Sequence, residues 1–166
     1  MSRAFVKEDN SEPPLIVPRA PLPEGAVNYV TQRGLALLHA ERAQLDAARP
    51  DPEALDAIRE LAAYNARSSA LTARIGSAVV LDPASLPHDE ARFSALVTLR
   101  NDSGDERRYR IVGVDEADAH AGRIAFTAPL AVRLSGKRVG DALLLRGPQG
   151  EVEFEIVSLD YTQEMP

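Results

Sequence analysis

The chain has 166 residues, of which 45% are hydrophobic, and a formal charge of −6: material for one ordinary domain or two small ones, with the wrong sign for general nucleic-acid binding. It contains no cysteine, which excludes disulfides and thiolate zinc sites, and its three histidines, His39, His88 and His120, lie too far apart for a metal-ligand spacing. No run approaches the roughly 18 apolar residues of a membrane span, and "MSRAFVKEDNSEPP" lacks the apolar core of a signal peptide, so a soluble, cytoplasmic protein is expected.

Residues 13–23, "PPLIVPRAPLP", hold five of the twelve prolines, which remove backbone donors and favour extended chain; residues 1–30 therefore read as an extension that straps the surface. From Thr31 to about Ala48 good helix formers dominate, with Leu35, Leu38 and Leu45 on one stripe. After the turn "RPDP", Arg49 to Pro52, a second helix is expected from Pro52 to about Ile75, with Leu61, Tyr64, Leu71 and Ile75 at helical spacings and Gly76 as the stop. Two amphipathic helices joined by so short a turn must pack stripe to stripe, so residues 31–76 are expected to form an antiparallel hairpin. At the turn Asp51 is suited to cap, Pro52 to the first helical position, and Glu53 and Asp56 to the positive end of the helix dipole.

Beyond "SAVVLDP" the period changes to two. "RFSALVTLR" (92–100) alternates Phe93, Ala95, Val97 and Leu99 on one face, "NDSGD" is a turn, and "RRYRIVGV" (107–114) is extended again. "GRIAF", "DALLLRG" and "VEFEIVSLDY" (152–161) are further strands, "GPQGE" a turn, and "PLAVRLSGK" (129–137) a short helix opened by Pro129 and stopped by Gly136. Residues 77–166 thus form a small, mostly antiparallel sheet crossed by one helix, and the whole is an α+β protein. Arg107, Arg108 and Arg110 are expected to protect a strand edge, and the acids of "DEAD" (115–118) to sit on a solvated turn.

The stretch from "VTLRNDSGDERRYRIVGVDEAD" through "GRIAF" and "APLAVRLSGKRVGD" to "GEVEFEIVSLDY" resembles the C-terminal domain of the GreA/GreB transcription elongation factors. "VTQRGLALLHAER" and "ARIGSAVVLDP" resemble the ends of that family's coiled coil, so the likeness spans about residues 27–161. It implies an FKBP-like C-terminal domain that docks at the rim of the secondary channel of bacterial RNA polymerase while the helical hairpin enters the channel. It also implies a monomer without a cofactor, a metal of its own or sequence-specific nucleic-acid binding. On that pattern Ala128, Pro129, Leu130 and Ala131 match the loop that meets the polymerase rim, and Arg133, Lys137 and Arg138 flank it; a helix start with a buried leucine explains the same residues.

The tip departs from the family. Members that promote transcript cleavage carry Gly-Asp-x-x-Glu-Asn, which is absent here, and the hairpin is shorter by about 20 residues, a deficit of roughly 15 Å at 1.5 Å per residue in each arm. Asp51, Glu53 and Asp56 are the acids left at the turn, either as carboxylates directed at the polymerase's metal or as caps. The expectation is a non-catalytic regulator whose tip acids are chiefly structural. A short hairpin on the same docking domain also resembles the regulator of nucleoside diphosphate kinase (Rnk) branch, which binds polymerase without stimulating cleavage. A prolyl isomerase is disfavoured, because the chain lacks tryptophan and strand alternation places most Phe and Tyr in the core rather than around a pocket. A helical adaptor for another partner is the remaining alternative.

Overall fold

A computed structural model describes residues 19–53, 57–147 and 150–162. Thr31 caps helix α1 (Gln32–Ala47) by accepting a 2.8 Å hydrogen bond from the Gly34 amide, and helix α2 spans Ala57–Gly76. Arg42 donates to Thr72 at 2.5 Å while Tyr64 donates to Asp46 at 3.1 Å, so the register falls on one helix as it rises on the other and the arms are antiparallel. Leu38 and Leu71, each 1% exposed, sit at the centre of this packing with Leu35, Leu45 and Ile75 around them. The expected helix start at Pro52 is not seen: Pro52 and Glu53 lie in a turn, and the helix is described from Ala57. Pro50 and Pro52 lack amide donors, and Asp51 accepts from the Glu53 amide at 2.9 Å, closing a local turn instead of opening a helix.

The hairpin springs from two strands that sequence reading did not pair. Strand β1 (Asn28–Val30) lies parallel to β2 (Ala78–Val80), with Asn28 opposite Ala78 and Val30 opposite Val80. Strand β1 falls inside the segment expected to be a mere extension. Its Asn28, 2% exposed, donates to the Arg74 carbonyl at 2.8 Å and to Ser77 Oγ at 3.1 Å, which ties the strand to the C-terminal end of α2. Because the strands are parallel, α2 must descend past the start of α1 before β2 begins. It is longer, 20 residues against 16, a difference of about 6 Å.

The second half is a five-stranded sheet in the order β5 (Arg123–Ala125), β4 (Glu106–Val112), β3 (Leu96–Arg100), β7 (Gly150–Asp160), β6 (Ala142–Gly147), antiparallel except between β4 and β5. The short helix α3 (Pro129–Leu134) closes one face: Ala95, Val97, Leu99, Leu134 and Ile156 are 0% exposed and Phe154 1%. The expected strand from Arg92 begins only at Leu96, because Ser94 adopts φ 73°, a left-handed conformation that breaks the extended chain. Residues 148 and 149 of the expected "GPQGE" turn lie outside the described residues. Among the described residues no helix is long and apolar enough to cross a membrane.

Two readings of charge are corrected. Of the three arginines of β4, Arg110 does not guard an edge, since β5 pairs with β4 from Arg110 to Val112; Arg107 and Arg108 lie on the part of β4 that β5 does not reach. Arg107 lies over the Phe154 ring, 4.7 Å from its centroid, and Arg110, 8% exposed, donates to the carbonyls of Ser94 at 3.0 Å and Thr162 at 3.1 Å. The strand itself is expected from "GRIAF"; its parallel place beside β4 is not, since a period of two says nothing of which strand is the neighbour. Nor is "DEAD" a solvated turn throughout. Asp115, with a side chain 9% exposed, pairs with Arg19 at 2.5 Å and Arg74 at 3.2 Å; Glu116, 2% exposed, pairs with Arg33 at 3.1 Å and accepts from Thr31 Oγ1 at 2.5 Å. These two acids join the sheet to the base of the hairpin. The fit is close: a Cβ on Gly34 would stand 2.9 Å from Glu116 Oε2, and one on Gly113 would stand 2.7 Å from the Tyr29 carbonyl, so side chains at either position would push the halves apart. Asp118 does turn outward, accepting from the His120 amide at 3.0 Å.

Candidate functional site

The loop from Ala128 into α3 presents the residues singled out in the sequence, though not all of them outward. Ala128 precedes the helix in extended conformation, and Pro129 occupies the first turn, where its missing N–H costs nothing, and is exposed. Leu130 is half-buried against the sheet core, which leaves part of its side chain at the surface. Ala131 is 2% exposed and faces inward. Arg133 is exposed and donates to the Leu144 carbonyl at 2.5 Å on the outer strand β6; Arg138 pairs with Asp89 at 3.2 Å. Lys137 closes the loop, its carbonyl accepting from the Ala91 amide at 2.6 Å. The surface also includes three apolar residues that sequence reading passed over: Val132 at 62% exposure, Val139 at 58% and Leu144 at 46%. Single exposed apolar residues are ordinary, but Val132 and Leu144 lie on the two elements that Arg133 links, α3 and β6, and Val139 on the segment between them.

Beside this loop is a cavity of about 320 Å³ lined by Tyr29, Leu81, Leu86, Phe93, Ile111, Phe126 and Ala131, with Arg92 and Ser135 as its polar members. Three rings from three elements meet there: Tyr29 lies 6.1 Å from Phe93 and 5.8 Å from Phe126, and Phe93 lies 5.9 Å from Phe126, all tilted or edge to face. Strand alternation does bury Phe154, but Phe93 precedes β3 and Phe126 follows β5, so these two leave the sheet at its ends and converge with Tyr29 of β1. The aromatic-lined pocket that the sequence did not lead one to expect is present. The loop bearing Phe93 is firmly held. Tyr161 donates to the Glu90 carbonyl and accepts from the Arg92 amide at 3.0 Å, its ring stacks on His88 at 4.5 Å, and burial pushes its phenol above the ordinary tyrosine range.

At the hairpin tip Asp51 and Glu53 are both exposed, and Asp56 lies outside the described residues. Among the described residues no cluster of three or more His, Asp or Glu side chains is placed to hold a metal ion. The one bond seen for these acids is the turn-closing contact of Asp51. Asp51→Ala is accordingly expected to cost about 0.5–1.5 kcal/mol, measured by urea unfolding, the net worth of one such hydrogen bond.

Comparison with known proteins places residues 86–161 in a family model described as "Transcription elongation factor, GreA/GreB, C-term". The chain is 33% identical over 156 residues to the transcription elongation factor GreA of Aliarcobacter butzleri, covering 87% of this chain and 97% of that protein. It is 42% identical over 98 residues to GreA of Psychrobacter arcticus, an alignment that spans 58% of this chain and 62% of that relative's length. Among solved structures, the GreA/GreB factor of Nitrosomonas europaea matches at a TM-score of 0.43 with 20% identity, over 80% of this chain and 98% of that one. GreA factor homolog 1 of Thermus thermophilus matches at 0.38 with 26% identity, over 81% and 99%.

Proposed function

Since the chain belongs to the GreA/GreB family of transcription elongation factors, we propose that it is a non-catalytic regulator of bacterial RNA polymerase that docks its C-terminal domain at the secondary channel and directs its hairpin inward. The observation that carries this reading is the surface at α3. Pro129 is exposed, Leu130 half-exposed, and the cationic Arg133 and Lys137 follow on the same short segment of a protein whose net charge is −6. The hairpin sets a limit on what the docked protein does. Its arms extend about 24 and 30 Å, and its tip lacks the Gly-Asp-x-x-Glu-Asn of cleavage-promoting members, so it occupies the channel without strongly stimulating transcript cleavage. This is the behaviour of the Rnk-like alternative, a binder that competes with other channel factors.

Two measurements test the reading. Leu130→Asp is expected to weaken binding to purified core polymerase by about 2 kcal/mol, roughly 30-fold in Kd, while the protein still folds. Unchanged affinity in a folded variant removes the loop from the contact. Added to a backtracked elongation complex, the wild-type protein is expected to leave the transcript length nearly unchanged and to slow cleavage by a longer-armed factor. Vigorous cleavage that disappears in Glu53→Ala would make the tip a working one.

A further inference from the structure

We propose that Arg19 is a positioning residue: the strap that carries it latches the hairpin at one angle to the sheet in the free chain, so the direction of the arms is set before any partner is met. Its guanidinium forks between the two halves, one nitrogen on Asp115 beside the sheet at 2.5 Å and the other on Glu41 of α1 at 2.5 Å. One residue on, the Ala20 carbonyl accepts from Arg74, the α2 cation that also pairs with Asp115 at 3.2 Å. Strap, both arms and sheet thus converge on one carboxylate.

Height decides what this clamp adds. The pairs of Glu116 with Arg33 and of Asp115 with Arg74 grip the arms near Thr31 and Gly76, at the base. Glu41 stands ten residues beyond Thr31, about 15 Å up the arm. Contacts at one level leave a rod free to tilt about them, and a second contact higher up removes that tilt. The strap is shaped to deliver it. Pro21 and Pro23 have fixed φ, and a turn at Glu24 and Gly25 (φ 75°), closed by the Ala26 amide on the Pro23 carbonyl at 3.0 Å, leads the chain into β1. A tether so short and stiff loses little conformational freedom when Arg19 docks. The Arg19 side chain is 19% exposed and that of Asp115 9%, so water and salt screen this arm of the fork less than they screen a surface pair.

The test measures the angle directly. The chain has no cysteine, so spin labels go on two introduced ones, Ser69→Cys, exposed on α2, and Asp102→Cys, in the turn after β3. The otherwise unaltered chain is expected to give one narrow distance distribution, and Arg19→Ala to broaden it about twofold or more while circular dichroism is unchanged. Arg19→Lys is expected to fall between them, since an ammonium does not fork to two carboxylates as a guanidinium does. Glu41→Gln, at a side chain 43% exposed, removes the upper contact alone and is expected to broaden the distribution without touching the base. A distribution as narrow as wild type in both Arg19→Ala and Glu41→Gln overturns the proposal and leaves the angle to the base contacts. So does an Arg19→Ala that loses its helical signal beside an unbroadened Glu41→Gln.

A second arm rests on the docking reading above. Arg19→Ala, remote in sequence from the α3 loop, is expected to bind core polymerase about fivefold more weakly, because a wandering hairpin has to be ordered on entry. Wild-type affinity beside a broadened distribution overturns the positioning role and leaves Arg19 a tether. If Leu130→Asp also binds like wild type, it is the docking reading that falls, and the distances alone decide the latch.

Discussion

Asp115→Ala is expected to lower stability by about 3–5 kcal/mol, a fall in Tm of roughly 10 °C for a chain of this size, followed by thermal denaturation. The magnitude follows from what the change leaves behind. Arg74, 8% exposed, would keep its charge beside the sheet with the carboxylate 3.2 Å away removed, and Arg19 would lose its 2.5 Å partner. An unpaired buried cation is costly, whereas removing both charges together is tolerated far better. The double variant Asp115→Leu with Arg74→Met is therefore expected to recover most of the loss. A single Asp115→Ala variant within about 0.5 kcal/mol of wild type would return the "DEAD" acids to the solvated turn expected from sequence.

Leu38→Ala is expected to cost about 2–5 kcal/mol and, more tellingly, to split the unfolding transition. The buried centre of the hairpin consists of Val30, Leu38 and Leu71, with partly covered neighbours, while the sheet has a separate and larger core around Phe154 and Ile156. Removing most of one side chain from so small a cluster melts the helices first. Circular dichroism is expected to lose helical signal at a temperature where the sheet's amides still resist hydrogen exchange. A single cooperative transition, merely shifted, would mean that the Asp115 and Glu116 contacts couple the two cores completely.

These two sites mark the boundary of what sequence discloses. The helices were legible because Leu35, Leu38, Leu45, Leu71 and Ile75 repeat a spacing over several turns, and β3 because Ala95, Val97 and Leu99 repeat one over several residues. Strands β1 and β2 have three residues each, too few for a period, and β1 follows a proline-rich stretch that argues for a different structure; β5, equally short, is readable from "GRIAF", but its place beside β4 is not. Paired charges are less legible still, since Arg19 and Asp115 are 96 positions apart and nothing local distinguishes a buried acid from a solvated one. Part of the candidate site was readable as a continuous stretch from Ala128 to Arg138. The cavity was not, because Tyr29 lies within a three-residue strand and Phe93 and Phe126 beyond the ends of two others, and their meeting is a product of topology. The signal available was an aromatic residue just outside a strand, as at Phe93 and Phe126.

The parallel pairing of β1 with β2 has a consequence for how such proteins vary. The polypeptide leaves for the hairpin from Val30 and re-enters at Ala78, and these strands are neighbours, separated by the usual 4.8 Å or so of a sheet. Everything between is a loop-like detour whose end points are fixed independently of its length. Matching insertions in both arms, made in whole helical turns away from Thr31 and Arg74, lengthen the probe by about 1.5 Å per residue pair and leave Asp115, Glu116 and the α3 loop untouched. The protein is in this sense a gauge with an interchangeable rod: how far it reaches and where it is clamped are set by separate parts of the chain, and either can drift, or be engineered, without disturbing the other.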